Sequence, residues 1–167
     1  MAVVVFDASF LIPLLDPQVK GVEGDPRLEH LIKTLDKLKD IIIVPAPALS
    51  ETLIGAGEAA PKYLDILGRT ARLRIAPFGE RAAVEAAARH REAIRGGDKK
   101  EGFESWPKVK FDRQIIAIAR VEGAERVYSN DADIYRCGKA EGLQVIRFED
   151  LEPPPPKTAD LFTGIER

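Results

Sequence analysis

Two stretches constrain the fold more than any others: Ala2-Val3-Val4-Val5-Phe6, which runs directly into Asp7, and Ile41-Ile42-Ile43-Val44, which runs into Pro45. Neither alternates apolar and polar residues. A strand with one wet face must alternate, so these runs predict strands covered on both faces, as in a parallel sheet. Shorter strand-like segments at residues 73–76, 126–129 and 143–148 extend the pattern. Between them lie helical periodicities over residues 8–15, 26–38, 46–56, 58–68, 79–94, 110–122 and 131–140. Asp25-Pro26 reads as a capped helix start and Gly123 as a helix stop. Strands alternating with helices predict a three-layer α/β/α sandwich around a mostly parallel sheet.

Composition narrows the class. A chain of 167 residues with 45% hydrophobic and 31% charged residues suits one globular domain, expected over residues 1–152, followed by a tail led by prolines 153–156. A formal charge of −2 argues against bulk-charge attachment to nucleic acid, though not against a local basic rim. Cys137 stands alone, which excludes an internal disulfide and suits a reducing, cytoplasmic setting, with the thiol packed and inert. No apolar run is long enough to span a membrane. Residues 96–107 give the longest loop signal.

The chemistry sits in the acids. In a parallel sheet all strand carboxyl ends share one edge, where open α/β sheets bind ligands. Asp7 and Asp131 each follow such an end, with Asp133 two residues further on. Either could equally cap the helix that follows. Glu51 has Pro47, Ala48, Ile54 and Gly55 as its same-face neighbours, so it is expected towards the core side. Asp112 opens the apolar stripe continued by Ile115, Ile116 and Ala119, whereas Arg113 and Gln114 are expected to face solvent. Acids crowded together must share a proton or hold a cation. Hard oxygen donors favour Mg2+ or Mn2+, and His30 and His90 lack metal-ligand spacing.

The hydrophobic strand with Asp7-Ala8-Ser9, Ser50-Glu51 after the second strand, Asp112 in FDRQIIAIA, and Ser129-Asn130-Asp131-Ala132-Asp133 together resemble the PIN-domain nucleases. The resemblance covers residues 1 to about 151. It implies metal-dependent cleavage of RNA, and for small members a VapC-type toxin paired with a small antitoxin protein, often as a homodimer. Carried over by position, Asp7, Glu51, Asp112 and Asp131 match the acidic quartet, and Asp133 an additional acid. Asp7 and Asp112 would be the principal ligands, with Glu51 also able to move a proton. Ser9, Ser129, Lys110 and Arg113 are expected to position substrate, and Ser129, matching the family's small hydroxyl residue, also to help position the acids. Lys99, Lys100 and Lys108 are further candidates to grip RNA, with Phe103 or Trp106 available to stack on a base, although pinning the long loop to the domain is the favoured reading for them. Ile134 stands where an aromatic is common. The competing readings are an RNA-processing enzyme, a PIN-like binding or regulatory module without turnover, and a haloacid dehalogenase-type phosphatase. The last wants a second aspartate where Ser9 stands.

Overall fold

The computed structural model describes residues 1–16, 18, 25–97 and 105–156. The apolar runs form the middle of the sheet, as their lack of alternation requires. β1 (Val3–Phe6) pairs in parallel with β2 (Ile41–Pro45) on one side and β4 (Arg126–Tyr128) on the other. β3 (Leu73–Ala76) and β5 (Gln144–Ile146) are the edges, giving five parallel strands in the order β3-β2-β1-β4-β5. The crossovers are helical: α1 (Ala8–Leu15) and α2 (Pro26–Leu38), then α3 (Ala46–Ala56) and α4 (Ala60–Arg69). α5 (Glu80–Arg95) and α6 (Trp106–Val121) precede β4, and α7 (Ala132–Ala140) precedes β5.

Successive residues of β1 point to opposite faces, and each face has its own core. Val4 and Phe6 pack with Phe10, Leu11, Leu31 and Leu35 of α1 and α2. Val5 packs with Ala82, Ile115, Ile118 and Ile134 of α5, α6 and α7. Both faces are therefore dry, and the three-layer α/β/α expectation holds. Cys137 is buried in the second core, as expected of an inert thiol. Gly138 lets α7 lie close on β5: a Cβ there would meet Val145 Cγ2 at 2.6 Å. Gly123, with φ of +70°, reverses the chain after α6.

One boundary matters for the site. The sequence reading ends a loop at Pro107 and begins a helix at Lys110, but α6 begins at Trp106. Ser105 caps it, accepting from the Lys108 backbone N–H, and Pro107 sits in the first turn. Serine before a first-turn proline is a helix-start signal that the loop-like composition around it obscured. The extra turn adds Lys108 to the face that carries Asp112.

The proline-led segment 153–156 adopts no helix or strand, and the rest of the expected tail, 157–167, lies outside the described residues. So does most of the expected loop, including Lys99, Lys100 and Phe103. Among the described residues no helix is long and apolar enough to cross a membrane.

Candidate active site

Asp7 leaves the carboxyl end of β1 and caps α1; expected as a principal metal ligand, it is not among the described acids whose oxygens lie together, which are Asp112, Asp131 and Asp133. Its Oδ1 accepts from the Ser9 backbone N–H at 2.9 Å, capping α1, and from Ser9 Oγ at 2.6 Å. Its Oδ2 accepts from Ser129 Oγ. The carboxyl is almost fully buried, and that burial pushes its pKa up to about 6 against the lowering by the two serine hydroxyls.

Those hydroxyls also bind the loop after β4. Ser9 Oγ accepts from the Asn130 backbone N–H at 2.8 Å, and Ser129 Oγ accepts from that of Asp131 at 3.0 Å. Each serine donates to Asp7 and accepts from the loop, so two hydroxyls fix the two strand ends against each other. Ser129 is fully buried, and its hydroxyl holds Asp7 and the Asp131 backbone in place.

Asp131 likewise divides its two oxygens between tasks. Oδ1 caps α7, accepting from the backbone N–H groups of Asp133 at 2.7 Å and Ile134 at 3.2 Å. Oδ2 turns the other way and meets the Lys108 ammonium at 3.0 Å. The same ammonium lies 2.9 Å from Asp112 Oδ2 and 3.1 Å from Asp133 Oδ2. Asp112, Asp131 and Asp133 each offer an oxygen within 4.8 Å of the others, the described acids that could share one ion. The donors are all carboxylates, the chemistry suited to Mg2+ or Mn2+, and Lys108 shows that a positive centre is accepted among them.

Electrostatics separates the three. Burial raises the pKa of Asp112 to about 6; the Lys108 hydrogen bond opposes this, while the charges of Asp131 and Asp133 reinforce it. Asp131 is less enclosed, and its burial is outweighed by Lys108 and the two capping N–H groups, which hold its pKa below the usual value. Lys108 loses some basicity to burial but gains more from its three carboxylate partners, so its pKa is raised.

Two expectations about helix faces fail. Glu51 is exposed, because the inward positions of α3 are Pro47, Ala48 and Thr52, while Ile54 is 81% exposed. Thr52 satisfies its buried hydroxyl by donating to the Ala48 carbonyl at 2.8 Å. Glu51 thus begins on a helix rooted at the carboxyl edge but is not among the three clustered acids. Arg113 is 1% exposed and not solvent-facing: α6 is packed against α5 on that side, where the guanidinium meets His90 Nδ1. It is therefore no surface contact for substrate. His90 is correspondingly half-buried, its ring 5.2 Å from that of Trp106, which pins the start of α6. Lys110 is exposed, as expected, with its ammonium 5.9 Å from the Trp106 ring. Sequence reasoning offered Lys108 as a candidate contact to RNA and did not place it among the acids; its spacing of four from Asp112 was the available signal.

The fold has relatives. The chain is similar to VapBC2 from Rickettsia felis, whose structure was determined with a DNA fragment from its promoter (TM-score 0.59, 15% identity, 87% of this chain and 98% of that one). It is also similar to Mycobacterium tuberculosis VapC20, a toxin that cleaves the sarcin-ricin loop (TM-score 0.56, 19% identity, 81% and 95%). VapBC-1 from nontypeable Haemophilus influenzae superposes with a TM-score of 0.57 at 14% identity, covering 87% and 97%. At such identities the likeness speaks for the fold alone, and no curated protein matches in sequence. The family model described as PIN domain, however, matches residues 4–140, from the first buried strand through the helix that Asp131 caps, and the chain belongs to the PIN domain family.

Proposed function

We propose that this protein is a divalent-metal-dependent endoribonuclease that hydrolyses RNA phosphodiester bonds, acting as the toxin of a type II toxin–antitoxin pair. The observation that carries the reading is the convergence of Asp112, Asp131 and Asp133 on one point at the carboxyl edge, where a cation is already accommodated. Family membership supports a nuclease, and the likeness to VapBC structures supports a small antitoxin protein as partner.

In this reading Asp112, Asp131 and Asp133 hold Mg2+ or Mn2+. Such an ion lowers the pKa of a bound water and neutralises charge on the reacting phosphate. Asp7 does its work one layer below: through Ser129 it fixes the strand end from which Asp131 projects, and its own carboxyl adds negative charge beneath the site. Glu51, exposed on α3, is assigned the remaining place of the acidic quartet that the family resemblance implies. Lys110, exposed on α6, is assigned to the RNA backbone, because an acidic edge repels phosphate and the strand must be gripped beside it. A homodimer and a cytoplasmic location complete the proposal, with residues 1–152 as the nuclease domain.

Purified protein and Asp112→Asn are to be incubated with structured and single-stranded RNAs in Mg2+, in Mn2+ and in chelator. Cleavage by the parent protein alone, abolished by chelator, is expected. Equal cleavage by both proteins, or activity indifferent to chelator, overturns the nuclease reading. Induction in cells with and without the neighbouring small open reading frame separates a toxin from a processing enzyme: growth unaffected by the protein alone excludes the toxin.

A further inference from the structure

Among the described residues of this edge, Lys108 has a role that the nuclease chemistry does not supply. Its ammonium has three N–H donors, and they meet three carboxylates, at 2.9 Å on Asp112, 3.0 Å on Asp131 and 3.1 Å on Asp133. These are the same three residues whose oxygens lie close enough to share an ion. An ammonium and a divalent cation compete for the same three carboxylates, because two positive centres held by one small set of oxygens repel each other. The lysine is also built to leave. Its side chain is 34% exposed, and its flexible stem carries a compact charge that water solvates well. The acids, by contrast, are anchored: Asp131 by two backbone N–H groups, Asp112 by the buried face of α6.

We infer that Lys108 is a built-in counter-cation of the acidic cluster that a divalent ion must displace, so that it sets the ion affinity of the site and is released to solvent when the ion binds. The inference rests on the metal-site reading above. Before ion binding, Lys108 keeps the three carboxylates gathered in place. Afterwards its ammonium stands free beside the site, on the helix that also carries the exposed Lys110, available to an RNA phosphate.

The test compares Mn2+ binding by calorimetry for the full chain, Lys108→Met and Lys108→Arg, each freed of metal beforehand. The Met variant is expected to bind Mn2+ about tenfold more tightly, and the Arg variant to stay near the parent. A lysine that only holds structure predicts the opposite, since losing it would loosen the acids and weaken binding. A second measurement needs no variant. Acylation of Lys108 by an amine-reactive reagent, followed by mass spectrometry, is expected to run several-fold faster in saturating Mn2+ than in chelator, with exposed Lys33 as the unchanging control. Unchanged or weaker Mn2+ binding by the Met variant overturns the inference, as does acylation of Lys108 that ignores Mn2+. In both cases the metal site itself still stands if the parent protein binds Mn2+. Absence of Mn2+ binding by parent and Met variant alike overturns the metal site and the role of Lys108 together.

Discussion

At the amino end of the strands, Asp40 is 3% exposed, and everything around it answers its charge. Its Oδ1 accepts from the Ala2 backbone N–H at 2.7 Å, just before β1, and its Oδ2 meets the Arg126 guanidinium at 2.9 Å, at the start of β4. One acid thus ties three neighbouring strand starts with a single matched cation. At the carboxyl end, Asp112, Asp131 and Asp133 crowd round one lysine, Asp133 also meeting the Arg136 guanidinium at 2.5 Å, with Asp7 buried behind them, so that four acids face two cations. There the negative charge exceeds what the chain itself neutralises. The two ends use the same residue type in opposite ways. A carboxylate balanced one for one holds the sheet together, and a surplus of carboxylates at the other edge creates demand for an ion.

If that division is right, removing an acid from the crowded end abolishes activity without unfolding the protein. Asp112→Asn is expected to lower RNA cleavage at least about a thousandfold, in line with losing a metal-held transition state, with an unchanged circular dichroism spectrum. A large loss of structure instead would erase the distinction between the two ends.

The balanced end should behave in reverse. Asp40→Ala leaves Arg126 without its carboxylate and the Ala2 N–H without its acceptor, at a cost of about 3 kcal/mol in unfolding free energy. Cleavage per folded molecule stays at the parental level. Urea unfolding and an activity assay on the same samples check both parts.

The crowded end carries a stability cost that pH exposes. Asp7 ionises at about 6 in the folded chain against an ordinary 3.8, so the folded state binds its proton more tightly than the unfolded state. The associated stability is complete below about pH 4 and is lost as pH rises through 6. Asn mimics the protonated form and retains the cap. In chelator, Asp7→Asn is therefore expected to be more stable than the parent by about 2 kcal/mol at pH 7, the advantage vanishing near pH 4. Denaturant titrations at the two pH values test this, and an Asn variant less stable at pH 7 would contradict it.

The smallest effect belongs to the hydroxyl that joins Asp7 to the loop. Ser129→Ala removes a donor from Asp7 and an acceptor from the Asp131 N–H, at about 1 kcal/mol. The Asp7 pKa should rise further, observable by carboxyl NMR titration.

How legible this was depended on whether a feature is written locally. The strand runs, Asp25-Pro26 and Gly123 all declare themselves within a few residues, and the structure agrees with each. Asp7 and Asp131 were visible as strand-end acids and both cap the helix that follows, while the second oxygen of Asp131 turns to Lys108, which no local pattern announces. Glu51 was misread because Ile54 looked like part of a buried stripe, yet an apolar residue does not by itself mark the inward face. Arg113 was misread for the complementary reason. Arginine is seldom buried, and only the packing of α5 on α6, with His90 facing it, makes burial tolerable.

The sequence by itself determined the parallel sheet and which residues leave its strands at the carboxyl edge, because hydrophobic runs, caps and chain reversals depend on nearest neighbours. It did not determine which acids converge. Asp112 and Asp131 lie on different elements, and their separation is decided by how α6 and α7 pack on one face of the sheet. Nor did it determine that Lys108 lies at the centre. Its one-turn spacing from Asp112 is local, but its contacts to Asp131 and Asp133 exist only because the fold brings the start of α7 to the start of α6. Charge acts through space, so the electrostatics of this edge belongs to the tertiary structure.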